Sequence, residues 1–432
     1  MNADERKKML NELIKTKNPS RTGIPIPYHN NIMTCNAYDI PLAYLVYNKY
    51  NGRIGSMVEA HERYKGELDP EKQDDRALIE QFLWESSEEA NKRTKARLLK
   101  EHQQKHGIVT ADGVIIDGNR RACILNQLMR DESIPFNDKA HCQFFTAIIL
   151  PEDADKKSVM ALETTYQMGE DAKVDYNPIE KYLKCRKLKE NGFVDKDIAD
   201  MMGIGTGEVK KMLSTLELMD EYLEEYGYDG IYTLIGKHED SFLKLDAALK
   251  KYYDHKSPTM WEYDVDSDLT DLKLISFDYI RAGIEQEPFR DIISVPNKKN
   301  TATSFFSKKK LWEIFRDEHF KITQDKDINE ESVKDIIAKN PPDITRALND
   351  RDRTWRKGVE ELLRANFEIA KDNLNNYVNE GQPLRQLKKA CDALDIVDIN
   401  QDKFDKEEEI KKYVIRLQEY VDMFKEILKL GT

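Results

Sequence analysis

The sequence predicts an α+β protein: a small mixed domain, then a helix-turn-helix, then a largely α-helical C-terminal half. Three observations carry that expectation. Short apolar runs, Ile40–Tyr47, Val114–Ile116 and Cys142–Leu150, punctuate charged helical stretches in the N-terminal third. Residues 195–214 show the spacing of two short helices around a glycine turn. Beyond residue 330, apolar side chains recur at helical period over Glu331–Lys339, Thr354–Val378, Leu384–Leu394 and Lys406–Leu430.

In chain order, a helix is expected over Glu5–Lys15, followed by a Pro-, Gly- and Asn-rich arm, Asn18–Asn31. The run Ile40–Tyr47 reads as the first strand. Between Glu71 and His106, Leu78, Ile79, Phe82 and Leu83, then Ala96, Leu98 and Leu99, mark an amphipathic helical region. The strand Val114–Ile116 runs through Asp117-Gly118 into a helix over Asn119–Met129. In Cys142–Leu150, Phe144, Phe145, Ile148 and Ile149 read as a buried strand, and Ser158–Tyr166 as a helix. Asn177 is a good N-cap for a helix over Pro178–Glu190, and proline suits a first turn. In 195–214, Ile198, Met202, Ile204, Val209 and Met212 turn inward, Ala199 allows a close crossing and Gly203 makes the turn. Further helices fall near Phe242–Tyr253 and Leu272–Arg281. The expected divisions are an arm over 1–36, a mixed domain over 37–170, the helix-turn-helix domain over 171–226, a mixed helical region over 227–330 and a helical domain over 331–432.

Composition narrows the function classes. The chain has 432 residues and a formal net charge of −12, which argues against a surface coated with nucleic acid while leaving room for one local DNA-binding face. No apolar run approaches the roughly 18 residues a membrane span needs, so no membrane partner is expected. Met1-Asn-Ala-Asp-Glu-Arg-Lys-Lys lacks the apolar core of a signal peptide. The five cysteines are scattered, with no Cys-x-x-Cys pair, which implies a reduced, cytoplasmic setting. His102 and His106 are four apart on an expected helix, with no third metal ligand nearby in sequence.

The chemistry concentrates at Asp117-Gly118-Asn119-Arg120-Arg121. A glycine at a strand-to-helix junction lets the chain turn tightly and a ligand approach. The helix start points N–H groups outward, and the two arginines supply guanidinium forks, so the parts of a phosphate site are present. The plain alternative is a strand–turn–helix with surface ion pairs, in which Asp117 serves as the helix N-cap.

The wider order of motifs resembles the ParB/sulfiredoxin superfamily, and within it the ParB branch. Gly118-Asn119-Arg120-Arg121 stands where that branch has Gly-Glu-Arg-Arg, and Glu163 to Gln167 where it has Glu-Asn-x-Gln. Asn177 to Glu180 matches an Asn-Pro-Ile-Glu helix start, and Asn48-Lys-Tyr-Asn51-Gly52-Arg53 looks like the Asn-Pro-x-x-x-Arg segment. The resemblance spans roughly residues 38–225 and implies a nucleoside triphosphate, CTP or ATP, held by Asp117, Gly118, Asn119, Arg120, Arg121 and Asn177. It further implies magnesium on Glu163, Glu163 and Gln167 as catalytic residues, and DNA as partner. This chain departs from the pattern in several places. Asn119 replaces the glutamate, Gln167 follows Glu163 by four residues rather than three, and the Gly-x-x-x-Pro segment is not visible, so the choice of nucleotide stays open.

On the helix-turn-helix, the exposed positions are expected to be Gly205, Thr206, Gly207, Lys210, Lys211 and Ser214. The lysines suit phosphates, and the small residues offer few groups to read base edges. A protein-contact hairpin is the plain alternative. Asn297–Lys310 is a basic, aromatic-bearing loop that could grip a nucleic-acid backbone or serve as a linker. In the last helix, Ile410, Val414, Leu417, Tyr420, Val421, Phe424 and Leu428 form a stripe for core packing or for a homodimer. Three functional classes stand open: a nucleotide-gated DNA-binding switch with slow hydrolysis, a ParB-like nuclease of use in mobile-element defence, and a small-molecule phosphotransferase. The helix-turn-helix favours DNA over a free metabolite, and against the nuclease the sequence shows no Asp/Glu/Lys cluster typical of metal-dependent cutting beyond Glu163 and Asp117.

Overall fold

Helix α1 (Ala3–Thr16) starts on a capping box in which Asn2 and Glu5 satisfy each other's backbone N–H groups. The computed structural model describes residues 1–28, 31–168, 178–254, 261–286, 288–297, 303–324, 330–339, 341, 343–378, 383–398 and 408–429. After α1 the chain forms β1 (Arg21–Tyr28) and β2 (Asn31–Pro41), then α2 (Gly55–Lys65), α3 (Gln73–Glu85) and α4 (Glu88–Glu101). A short β3 (Gly107–Val109) and β4 (Ile115–Asp117) lead into α5 (Asn119–Arg130), followed by α6 (Phe136–Lys139), β5 (Phe144–Ile149) and α7 (Lys156–Met168). The five strands form one mixed sheet in the order β1-β2-β5-β3-β4, parallel only between β3 and β5. The fold class is thus α+β, with a largely helical C-terminal half, as the sequence predicts.

Alternation along β5 divides the core between the two sheet faces. Phe145 and Ala147 join Ile79, Leu83, Ala122, Leu125 and Leu128 on the side of α3 and α5. Ile148 joins Ile26, Ile108, Ile116 and Leu162 on the other side. Because α5 and α7 cover opposite faces, the loops at the end of β4 come within reach of residues on both helices.

Several expectations need correction. The arm Asn18–Asn31 is not a loop: Arg21–Tyr28 pairs with β2 as an edge strand, where its two prolines are tolerated. The strand expected over Ile40–Tyr47 lies earlier and ends at Pro41, where the lost N–H stops the ladder; only Val46 pairs further, bridging to Val114. His102 and His106 do not share a helix. Helix α4 ends at Glu101, and His102 sits at φ 60 with its ring 3.9 Å from that of His141.

The helical half begins with α8 (Pro178–Glu190), α9 (Asp195–Met202) and α10 (Thr206–Glu225). It continues through α11 (Glu239–Tyr253), α12 (Asp268–Ala282), α13 (Pro288–Ile293), α14 (Lys309–Thr323), α15 (Val333–Ala338) and α16 (Ile344–Val378). Tyr222 of α10 packs edge-on against Phe242 of α11 and Phe277 of α12, at 5.4 and 5.3 Å between centroids. Phe305 and Phe306, in the basic segment before α14, are fully buried, so they cannot stack on bases. Contacts divide the chain into one unit over residues 1–371 and a second over 372–432. The second unit holds α17 (Pro383–Asp395) and α18 (Glu408–Leu428). Its apolar stripe is not core: no described residue of α18 is buried, and Val414, Leu417, Tyr420, Val421, Phe424 and Leu428 are all exposed.

Candidate functional site

Gly118 sits at φ 104 as the N-cap of α5, a left-handed conformation that side chains resist. A Cβ there would also lie 2.5 Å from Cζ of Phe145, so shape and dihedral both demand glycine. Because Gly118 is the cap, Asp117 is not, and no side chain closes the first turn of α5. Asp117 instead accepts from Nη2 of Arg121 at 2.8 Å. The Nη1 group of Arg121 donates to the carbonyls of Lys105 and His106, and its guanidinium lies 5.8 Å from the centre of the Phe145 ring. Arg120, half-buried, reaches Oγ1 of Thr94 on α4 at 3.4 Å.

This turn is electropositive. Burial is the main cause holding the Arg121 pKa below its ordinary value. Asp117 opposes that shift, and the nearby guanidiniums of Arg21 and Arg53 add to it. His106 is likewise held down, first by burial and then by Arg121 and Arg21. Its Nε2 atom is buried and has no hydrogen-bond partner among the described residues. Arg21, from the edge strand, is fixed by donation to the carbonyls of Gln103, at 2.7 Å, and Gln104. The Arg121 guanidinium, its Asp117 partner, an orphaned ring nitrogen and an uncapped helix start therefore meet at one turn, within the field of the Arg21 and Arg53 charges, a composition suited to a phosphate.

Immediately behind it, the motif segments close on one another. Asn119 is 1% exposed: its Oδ1 accepts from the backbone N–H of Asn48 at 2.9 Å, and its Nδ2 donates to Ile115 O at 2.9 Å. The side-chain Nδ2 of Asn48 donates to Oε1 of Glu163 at 3.1 Å. The other oxygen of Glu163 receives Nζ of Lys184 from α8 at 2.8 Å. Gln167 accepts from Gly52 N at 3.1 Å and donates to Ile116 O at 2.9 Å. One turn before Lys184, Glu180 accepts from the backbone N–H and hydroxyl of Ser56 at the start of α2. Burial pushes the Glu180 carboxyl up to about 7, against the pull of those hydrogen bonds.

Glu163, Gln167 and Asn119 are thus interior struts, with their polar atoms committed to protein partners. Among the described residues, no group of three or more His, Cys, Asp or Glu side chains comes together to hold a metal. A magnesium at Glu163 would have to displace a buried ammonium. Asn177 lies outside the described residues. A cleft of about 660 Å³ opens beside this network rather than at the Gly118 turn, between α2, α8 and the end of α10. Its lining includes Gly52, Glu59, Lys184, Lys187 and Asp220.

The helix-turn-helix is built as its spacing implies. Gly203, at φ 66, closes α9, and Ile198, Met202, Val209 and Met212 are buried. Gly205, Thr206, Gly207, Lys210 and Lys211 are exposed. Ser214 is not an open position: its hydroxyl is half-buried and donates to Oδ2 of Asp246 on α11 at 3.1 Å, while receiving Nζ of Lys250.

Sequence reasoning missed Arg21, Asn48 as a strut, Ser56 and Lys184. Lys184 left a trace, since Glu180 and Lys184 are four apart and share a helix face. Arg21 left none, because nothing in its neighbourhood announced a strand. No family model, curated protein or solved structure matches this chain.

Proposed function

We propose that this chain is a ParB-like, nucleotide-responsive DNA-binding protein. The nucleotide's phosphates bind at the Gly118 turn, and the helix-turn-helix is the element they regulate. The observation that carries this is the buried Arg121 guanidinium beside the uncapped start of α5, within the field of the Arg21 and Arg53 charges and paired with Asp117. A second support is the closure of the Asn48, Asn119, Glu163 and Gln167 segments on one another across 71 to 115 residues of chain.

The residues present fit phosphate and do not fit a metal, because Glu163 already has Lys184 as its counter-ion. The proposal is therefore one of binding and gating, with no hydrolytic or nucleolytic step. Arg121, Arg21 and Arg53 neutralise the phosphates, and the backbone N–H groups of the first turn of α5 orient them. On the DNA side, Lys210 and Lys211 contact phosphates while the small residues Gly205, Thr206 and Gly207 let α10 approach closely.

Fluorescence anisotropy on a labelled duplex, with and without each ribonucleoside triphosphate, tests the link. At least one triphosphate should change the DNA affinity fivefold or more, the scale of a coupling of about 1 kcal/mol. Equal DNA affinity in every nucleotide, together with a bound nucleotide, would separate the two activities and defeat the gating proposal.

A further inference from the structure

We propose that the buried Lys184–Glu163 pair is a latch through which the Gly118 turn and the helix-turn-helix respond to each other. The proposal rests on the nucleotide reading for what throws the latch, and not for the latch itself.

The path is continuous and short. Asn119 is the first residue of α5 and holds Asn48 by its backbone N–H. Asn48 holds Glu163 by its side chain, and Glu163 holds Lys184. Lys184 is 5% exposed and Glu163 equally so, which places both charges inside the protein. The helix that carries Lys184 is tied on its other sides to the DNA-binding module. Arg186 donates to Asp220 of α10 at 2.8 Å, and Lys189 pairs with Asp195 of α9. Helix α8 therefore grips the mixed domain through Lys184 on Glu163, through Glu180 on Ser56 and through Arg186, 3.9 Å from Glu59, and it grips the helix-turn-helix through Arg186 and Lys189; of these, Lys184–Glu163 is the contact that leads back to the Gly118 turn.

An ion pair is a poor choice for mere packing. Desolvating two charges costs several kcal/mol, and well-packed apolar residues do as well or better, so such pairs are best understood where they fix one arrangement against another. Glu163 has two partners, Asn48 on the side of the phosphate turn and Lys184 on the side of α8. A shift of the Asn119–Asn48 contact changes the position of the carboxylate that Lys184 must follow. Movement in the reverse direction is coupled by the same amount.

Hydrogen–deuterium exchange on the ligand-free full chain tests the latch. The Lys184→Met/Glu163→Gln double variant removes both charges and keeps the side-chain volumes close. Exchange should rise tenfold or more at residues 48–53 and 119–122, and again at 206–214, while amides in β2 and β5 keep their wild-type protection. A rise confined to α7 and α8 overturns the latch. A uniform rise that includes β2 and β5 marks general destabilisation and overturns it equally. A separate arm adds triphosphate to the wild type: unchanged exchange at 119–122 there would remove the nucleotide as the trigger, and would leave the double-variant result to decide the latch.

Discussion

The Glu180 carboxylate should make this protein less stable as pH rises, against the usual behaviour of acidic residues. Its pKa is raised from 4.5 to about 7 by burial at the junction of α8 and α2. Between those values the folded state holds a proton that the unfolded state has lost, so unfolding releases it and higher pH favours unfolding. The stabilisation is fully present below 4.5 and is lost as pH rises through 7. A shift of about 2.5 units is worth about 3.4 kcal/mol, of which about 2.5 kcal/mol falls between pH 5 and pH 8. Glu59, also raised by burial, adds to the fall, whereas His61 and His106, both held down by burial, oppose it. Comparison with Glu180→Gln cancels these groups and leaves the Glu180 contribution, together with its coupling to Glu59. Urea unfolding of both proteins at pH 5 and pH 8 gives the difference directly. The wild type should lose about 2.5 kcal/mol more than Glu180→Gln over that interval. Equal losses, or a smaller loss in the wild type, would mean that Glu180 is charged and solvated, and that α8 is not seated on α2 as described.

Two further outcomes follow from the same geometry. Gly118→Ala should cost roughly 2–5 kcal/mol in urea unfolding, from left-handed strain and the clash with Phe145 together; a change below about 0.5 kcal/mol would show that the turn is not left-handed. Replacing Lys210 and Lys211 with alanine should weaken binding to all duplexes alike and flatten the salt dependence by about 1.8 units of slope, at roughly 0.9 per phosphate contact, whereas an unchanged slope would move α10 to a protein-contact role.

Much of the architecture was legible because it follows local rules. The helix over Pro178–Glu190 is present over the residues expected, and the α9–α10 turn is fixed by Gly203 and the apolar spacing around it. The junction at Gly118 was legible for the same reason, since a positive φ at a strand-to-helix turn has few chemical solutions. What escaped was non-local. Arg21–Tyr28 contains two prolines and reads as an arm; it becomes a strand only because β2 offers it a partner. The roles of Asn119 and Glu163 escaped because a polar residue in a motif looks equally suited to ligand and to strut. The difference lies in Asn48 and Lys184, 71 residues and 21 residues away respectively. The stripe on α18 shows the converse: a helical pattern announces an apolar face without saying whether it packs within the chain.

Calorimetric titration of the full chain with each of the four ribonucleoside triphosphates tests the central claim most directly, with Arg121→Ala and Arg21→Ala titrated alongside. At least one triphosphate should bind the wild type at sub-millimolar concentration, and Arg121→Ala should weaken it by about 1.5–3 kcal/mol, the worth of a hydrogen bond to a charged group, with Arg21→Ala weakening it in the same direction. Absence of binding at millimolar concentration, or binding that neither arginine affects, would contradict a phosphate site at the Gly118 turn and leave Gly118 to Arg121 as a structural junction.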